Sequence, residues 1–138
     1  AMTYGGQRGH ALSKFSECND FVRVFSDRPA VHEIEDSTFA NNANSAVRRD
    51  LWIKHEFDEG LPGLEDLEWA RHMSVHGYRV VYVPTATIIH VHTETWPQVR
   101  RRYYREAMAA RWIRMRALRD IPAEILREAR WCLGDILQ

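Results

Sequence analysis

The chain has 138 residues, of which 45% are hydrophobic and 28% are charged, and its formal net charge is zero. This is the length of one domain with enough apolar residues for a packed core, which excludes a disordered chain. The zero net charge argues against the strong positive field typical of nucleic-acid binding. No run of 18 apolar residues and no secretory signal is present, so we expect neither a membrane span nor export.

The two cysteines, Cys18 and Cys132, are far apart in the sequence and form no Cys-x-x-Cys pair. This spacing argues against a disulfide scaffold or a zinc knuckle and fits a reducing compartment. We therefore expect a cytoplasmic protein.

The zero net charge conceals two oppositely charged segments. Ten acids and three bases lie between His32 and Trp69, and eight arginines and one acid lie between Arg100 and Arg119. The acids of the middle segment are Glu33, Glu35, Asp36, Asp50, Glu56, Asp58, Glu59, Glu65, Asp66 and Glu68.

The first part of the chain predicts short elements. Residues 4–7 indicate a turn or the end of a strand, and apolar residues at three- and four-residue steps predict a helix over about 11–25. An extended segment is expected over 38–47. A short helix follows over 48–55, capped by Asn44 or Ser45, and a loop follows it.

The second part predicts longer elements. A helix is expected over 64–76, with Gly77 ending it. β-branched and aromatic residues predict a strand over 78–83, which Pro84 interrupts, and a second strand over 87–92. Two helices follow, over 96–118 and 122–137.

Glu65 and Asp66 open the predicted helix directly after a glycine- and proline-containing loop. A carboxylate held there by backbone N–H groups, and facing a cleft, is placed to take a proton from a sugar hydroxyl. The alternative is that both acids only complement the helix dipole, each contributing about 0.3–1 kcal/mol.

His90 and His92 fall on one face of a strand, because side chains alternate along it. Two neutral imidazoles on one face are able to ligate a divalent metal, although the sequence supplies no Cys cluster or His-Glu-x-x-His to complete a zinc site. The alternative is a pair of half-buried histidines bonded to the backbone.

Two further segments have both a functional and a structural interpretation. The arginine-rich helix, which also carries Tyr103, Tyr104 and Trp112, suits phosphate groups or a membrane interface, or is an amphipathic helix with a solvated basic face. The polar side chains of the Asn-rich segment 39–46 are suited to bind sugar hydroxyls, or form a polar turn before a helix.

The order and spacing of several segments resemble the second half of bacterial family 2 glycosyltransferases. These segments are Asn42–Arg49, Phe57-Asp58-Glu59, Gly63–Asp66, Trp69-Ala70-Arg71, Gly77–Pro84, Ala86 and His90-Val91-His92. The match covers about residues 3–106. It implies an α/β fold (α+β as an isolated fragment), namely part of a GT-A, Rossmann-like domain with a small sheet, flanking helices and a C-terminal helical segment.

The resemblance also implies roles for individual residues. Asp66 is the catalytic base of a single, inverting displacement, and Glu65 shapes its site. His90 lies near the metal and the donor diphosphate, and His92 is the second candidate for this role. The remaining expected substrate-binding residues are Asn42, Asn44 and Ser45, which line the cleft, and Trp69, which stacks on a sugar face.

The cofactor implied by the resemblance is Mg²⁺ or Mn²⁺, which the family holds with an Asp-x-Asp on its nucleotide-binding βαβ unit. No Asp-x-Asp occurs in these 138 residues. We therefore expect the chain to be an acceptor-side portion (3–95) with a C-terminal helical extension (96–138), inactive without a donor-binding half and holding no metal itself.

The implied partners are a nucleotide-sugar and a glycan or lipid-linked acceptor, in bacterial cell-surface polysaccharide or glycan synthesis. We also expect peripheral contact with the inner face of a membrane through the arginine-rich helix. A sheet edge and an apolar face left uncovered favour self-association into a homo-oligomer. Two alternatives remain open: a non-catalytic binding or assembly module with this fold, and a small metal-binding protein using His90 and His92.

Overall fold

The computed structural model describes residues 1–32 and 39–137. Within them the strands are β1 (Met2–Arg8), β2 (Ala30–His32), β3 (Ser45–Val47) and β4 (Val80–Ile89). The α-helices are α1 (Phe15–Val24), α2 (Arg49–Trp52), α3 (Glu65–Val75), α4 (Trp96–Trp112) and α5 (Ile121–Ile136). The start of the predicted extended segment, Thr38, lies outside the described residues, as do the acids Glu33, Glu35 and Asp36.

The four strands form one sheet in the order β2-β4-β1-β3. The two central strands, β1 and β4, run parallel, and each edge strand is antiparallel to its neighbour. Helices flank this sheet, so the expected α/β class is confirmed, and the arrangement is consistent with part of a GT-A, Rossmann-like domain.

The core is a single cluster of buried side chains that joins the central strands to α3. Tyr4 of β1 and Tyr82 of β4 lie with their ring centroids 5.1 Å apart. Helix α3 contributes Leu67, Ala70 and Met73, which follow at three-residue steps and lie on one side of the helix. Burying each of the larger side chains stabilises the fold by about 1.5–3 kcal/mol.

A bulge lies in the middle of the β1–β4 pair. Gly5 pairs with Val83 and Gln7 with Ile88, so Gly6 alone faces residues 84–87. Pro84 does not interrupt β4, contrary to the sequence prediction, because a proline in a bulge has no ladder hydrogen bond to lose. The Thr87 hydroxyl donates to the Pro84 carbonyl at 2.7 Å and closes this bulge.

Gly77 ends α3 as predicted. It has a φ of 80°, and Tyr78 N–H donates to the Met73 carbonyl at 3.0 Å, as in a Schellman motif. Helix α4 ends in the same way, at Trp112 instead of the predicted Leu118. There Arg114 takes the left-handed conformation (φ 58°), and Met115 N–H donates to the Ala110 carbonyl at 2.8 Å.

Two other boundaries differ from the sequence prediction. Helix α1 begins at Phe15 instead of near residue 11, after a turn in which Ser13 N–H donates to the His10 carbonyl at 2.9 Å. Arg48, rather than Asn44 or Ser45, is the residue that precedes α2, and its side chain makes no capping hydrogen bond. The side chains of Asn44 and Ser45 bond elsewhere, near the candidate site.

Helices α4 and α5 make polar contacts with α1. The Tyr103 hydroxyl donates to Asp20 Oδ2 at 2.8 Å, and Asn19 Nδ2 donates to Asp135 Oδ1 at 2.9 Å. No helix within the described ranges combines the length and the apolar character that crossing a bilayer requires.

Candidate active site

Asp66 lies in the first turn of α3, and both of its carboxylate oxygens accept backbone hydrogen bonds. Asn42 N–H donates to Oδ2 at 2.6 Å, and Leu67 N–H donates to Oδ1 at 2.8 Å. The residue before the helix, Leu64, has a φ of 61°, a left-handed conformation that costs a non-glycine residue about 1–2 kcal/mol. Because each oxygen keeps a lone pair, the carboxylate is held in place and still able to accept a proton.

The electrostatic surroundings of Asp66 favour its protonated form. Burial raises the pKa of this carboxyl above its usual value, and the negative charge of Glu65 raises it further. The backbone N–H groups of Asn42 and Leu67 oppose this by stabilising the charged form. A carboxylate whose pKa is raised toward neutrality is a stronger base than an ordinary surface aspartate.

The Asn-rich segment is held against the bulge of the sheet. Asn44 Nδ2 donates to the Gly6 carbonyl at 3.1 Å and to the Ala86 carbonyl at 2.6 Å. A Cβ on Gly5 would overlap the Ala86 carbonyl and the Asn44 amide, so the close approach requires glycine there. The amide nitrogen of Asn44 is therefore occupied with backbone, and its free acceptor is Oδ1.

Asn42 and Ser45 lie beside Asp66 and are linked to each other. The Ser45 hydroxyl donates to Asn42 Oδ1 at 2.9 Å, while Asn42 N–H bonds Asp66. The structure thus brings together four of the predicted site residues: Asp66, Asn42, Asn44 and Ser45. Asn42 is exposed, which places this group at the molecular surface.

Sequence reasoning missed two side chains that support this group. Gln7, buried at the end of β1, donates through Nε2 to Asn41 Oδ1 at 2.5 Å, and the same oxygen accepts from Ala43 N–H at 3.0 Å. An asparagine at the start of an Asn-rich turn is a signal that would have identified Asn41. Gln7 gives no such signal, because only the sheet pairing places it there.

His90 and His92 form a second group, just beyond the end of β4. Their rings meet edge to face with centroids 4.3 Å apart, and His90 N–H donates to the Arg8 carbonyl at 2.8 Å. His92 Nδ1 pairs with Glu17 Oε1 of α1. Burial, followed by the neighbouring His92, lowers the pKa of His90, which favours a neutral imidazole.

A hard cation does not fit the residues around these histidines. Mg²⁺ and Mn²⁺ prefer a shell of oxygen ligands, and this group offers two imidazoles and the carboxylate of Glu17. One oxygen of Glu17 is engaged by His92, and the other is buried without a hydrogen-bond partner among the described residues. In residues 1–32 and 39–137 the three ligand side chains that do converge lie elsewhere: His55, Glu68 and His72.

Trp69 does not belong to the surface of the site. Its side chain is 0% exposed, and its Nε1 donates to the His55 carbonyl at 2.5 Å. A ring with no exposed face cannot stack on a sugar, so the prediction for Trp69 is wrong. Glu65 is partly exposed beside Asp66, where it acts on the pKa of its neighbour.

The two groups lie along the same pair of central strands. Asn44 contacts the bulge at Ala86, and His90 lies four residues further along the chain. Four extended residues span at most about 14 Å, which sets an upper limit on the distance between the Cα atoms of Ala86 and His90.

No curated protein and no solved structure matches the chain significantly. A family model described as "Glycosyltransferase like family 2" matches residues 2–109, more than three quarters of the chain. Glycosyltransferases of this family typically use a divalent metal. The matched range contains the Asp66 group, the bulge and both histidines. The chain therefore belongs to the glycosyltransferase family 2-like proteins.

Proposed function

We propose that this chain is the acceptor-side portion of an inverting, GT-A-type glycosyltransferase and that Asp66 is its catalytic base. The observation that carries the proposal is the fixed carboxylate of Asp66, held by two backbone N–H groups with a raised pKa and a free lone pair on each oxygen. The family match to residues 2–109 supports the reaction class.

In the proposed reaction, the acceptor hydroxyl gives its proton to Asp66 as its oxygen attacks the anomeric carbon of a nucleotide-sugar. The new carbon–oxygen bond forms as the bond to the diphosphate breaks, and the bonding electrons leave with the nucleoside diphosphate. Attack opposite the leaving group inverts the anomeric centre. General-base assistance of this kind contributes about 10²–10⁴-fold to a rate.

The donor side of the reaction requires groups beyond these residues. These 138 residues contain no Asp-x-Asp, and the His90–His92–Glu17 group does not suit Mg²⁺ or Mn²⁺. We propose that a donor-binding region outside these 138 residues supplies both the nucleotide-sugar site and the metal, and that the chain alone transfers no sugar. His90, as a neutral imidazole, is then proposed to lie near the donor diphosphate.

The test is a reconstitution of sugar transfer. The purified chain is mixed with a polypeptide that carries a nucleotide-sugar-binding βαβ unit and an Asp-x-Asp, together with Mn²⁺, nucleotide-sugars and a panel of glycan acceptors. We expect acceptor-dependent release of nucleoside diphosphate from the mixture and none from the chain alone. Asp66→Asn is expected to lower this rate at least about 100-fold.

Glu59→Gln is the matched control, because Glu59 is an exposed carboxylate in the loop before α3. This variant is expected to keep the wild-type rate within about two-fold. An Asp66→Asn variant that is as active as Glu59→Gln would rule out Asp66 as the base. Transfer by the chain alone would refute the need for an external donor region.

A binding or assembly module is the second candidate function, and the exposed apolar side of α5 favours it. Ile125, Leu133 and Ile136 on this helix are 64%, 61% and 70% exposed. We propose that this side packs against a second copy of the chain, giving a homo-oligomer. Sedimentation should show concentration-dependent association that Leu133→Glu abolishes, and a wild-type monomer at high concentration would contradict it.

The exposed side of α4 is proposed to contact the inner face of a membrane, where a lipid-linked acceptor would lie. Arg100, Arg101 and Arg105 are exposed there, as are the rings of Trp96 and Tyr104. Arginines with interfacial aromatic residues suit an anionic lipid surface. The chain should float with anionic vesicles and not with neutral ones, and Arg101→Glu combined with Arg105→Glu should abolish flotation.

A further inference from the structure

The structure brings together three metal-ligating side chains on the opposite side of α3 from Asp66. Glu68 and His72 are one turn apart on α3, and His55 lies in the segment after α2. Residues two apart on a helix, such as Asp66 and Glu68, point about 200° apart, so this group is separate from the candidate active site. We propose that His55, Glu68 and His72 bind one divalent transition-metal ion, for which Zn²⁺ is the best fit.

The distances suit a shared ion. His55 Nε2 lies 3.4 Å from Glu68 Oε2, and one ligand atom from each of the three residues lies within 4.8 Å of the other two. Zinc bonds of about 2.0–2.2 Å in a tetrahedron place ligand atoms roughly 3.3 Å apart. The rings of His55 and His72 stack with centroids 3.6 Å apart and planes 8° apart, so their in-plane lone pairs are parallel in the metal-free chain and the rings must turn out of this stack to share an ion.

The backbone holds the three ligands in place before any ion binds. Trp69, fully buried, donates from Nε1 to the His55 carbonyl at 2.5 Å, and His55 N–H donates to the Leu51 carbonyl at 3.1 Å. Glu68 and His72 are fixed by their helix. The side chains of His55 and Glu68 are 32% and 26% exposed, so an ion can reach them from solvent.

The chemistry of the ligand set selects the ion. Two imidazoles and one carboxylate suit Zn²⁺ and its transition-metal neighbours, whereas Mg²⁺ requires an oxygen shell.

A fourth coordination position opens toward a shallow cleft. Glu68 and His72 line this cleft together with Arg71, Val75 and Ile113. With three protein ligands, water or a small anion beside Arg71 completes the coordination. The ion would fasten the segment after α2 to α3, the helix whose first turn carries Asp66.

The experiment is a titration of the metal-free chain with Zn²⁺ against a chromophoric chelator, with Mg²⁺ for comparison. We expect one Zn²⁺ per chain, no competition by Mg²⁺, and a higher melting temperature with Zn²⁺. His72→Ala and His55→Ala should each weaken Zn²⁺ binding at least about 100-fold, and Glu68→Gln about 10-fold or more. Circular dichroism of each metal-free variant checks that it is folded.

His90→Ala combined with His92→Ala is the matched control, since it removes a close pair of histidines that includes none of the three proposed ligands. It should leave the affinity for Zn²⁺ within about two-fold. The absorption spectrum of bound Co²⁺ gives a second measurement, and His72→Gln should abolish the tetrahedral signal even where folding is unchanged. Absence of stoichiometric binding, or loss of binding in the His90/His92 variant instead, overturns the proposal.

Discussion

The region around α3 and the region of α4 and α5 have similar sequence patterns but differ in burial. Five residues of α3 are buried, and its Trp69 is completely enclosed. In α4 the buried residues are Ala109 and Ala110, and none of the described residues of α5 is buried. An apolar stripe at helical spacing therefore indicates which side of a helix is able to pack against another surface. Only the tertiary structure shows whether this chain supplies that surface.

The two regions also differ in how they are held together. Aromatic and aliphatic side chains connect α3 to the central strands, whereas hydrogen bonds and ion pairs connect α5 to α1. The Arg23–Asp135 pair is partly buried, with side chains 23% and 9% exposed, so desolvation of the two charges offsets much of their attraction. We therefore expect the stability of the chain to depend far more on α3 than on α5.

Replacing one tryptophan with alanine in each region should give the largest difference between the two regions in lost free energy of unfolding. Trp69→Ala removes a fully buried ring and its hydrogen bond to the His55 carbonyl, so it should lower the free energy of unfolding by about 3–5 kcal/mol. Trp112→Ala, where the side chain is 55% exposed, should cost less than about 1 kcal/mol. Urea denaturation measures both, and equal losses would show that the two regions are equally well packed.

Replacing one glycine with alanine in each region should give the next largest difference in stability between the two regions. Gly5→Ala places a Cβ on the Ala86 carbonyl in the bulge and should destabilise by about 1–3 kcal/mol. Gly134→Ala meets no atom within 4 Å in α5 and should stabilise by about 0.5–1 kcal/mol. Thermal melts of the two variants should therefore shift in opposite directions, and a shift of the same sign would contradict the bulge geometry.

Much of the α3 region could be predicted from sequence because its signals are local. Gly77 ends the helix, the β-branched run after it forms β4, and Leu67, Ala70 and Met73 face the core. The end of α4 was missed because Arg114 adopts a left-handed conformation without the glycine that would signal it.

The bulge and the buried tryptophan depend on contacts between distant segments. Pro84 suggested a break in the strand because proline lacks the backbone N–H that a sheet hydrogen bond needs. Only the pairing of β1 with β4 shows that residue 84 lies in a bulge, where no such hydrogen bond is lost. The resemblance implied that Trp69 stacks on a sugar face, a role that its burial contradicts. The Glu68–His72 spacing on one helix was visible in the sequence, but His55 joins it only through the fold. The division of the chain at residues 95 and 96 stays a prediction.

The smallest expected effect is the pH dependence of stability contributed by Asp66. Burial raises the folded-state pKa of Asp66 above its unfolded value, so the folded state binds a proton more readily. Stability from this group is fully present below the unfolded pKa, about 3.9, and falls as pH rises through the folded pKa. Asp66→Asn removes this pH-dependent loss, but its NH2 group faces one of the two backbone N–H donors, which adds a destabilisation that does not depend on pH.

Denaturant midpoints of wild type and Asp66→Asn measured from about pH 4 to pH 7 test this effect. The stability of Asp66→Asn relative to wild type should increase as pH rises, and Glu59→Gln, an exposed carboxylate, is measured beside it as the control. A variant whose disadvantage grows with pH would mean that the two backbone N–H groups outweigh burial, and that the folded-state pKa of Asp66 is lowered.

One hydrogen bond joins the two regions at a point that matters for the candidate active site. Arg71 Nη1 of α3 donates to the Ile113 carbonyl at the end of α4 with a distance of 2.9 Å. The helix that presents Asp66 is therefore tethered, less than two turns from that carboxylate, to the helix with the most arginines. A ligand that displaces the end of α4 would have to stretch or break this hydrogen bond. A single side chain of α3 thus links the end of the basic helix to the helix that carries the candidate base.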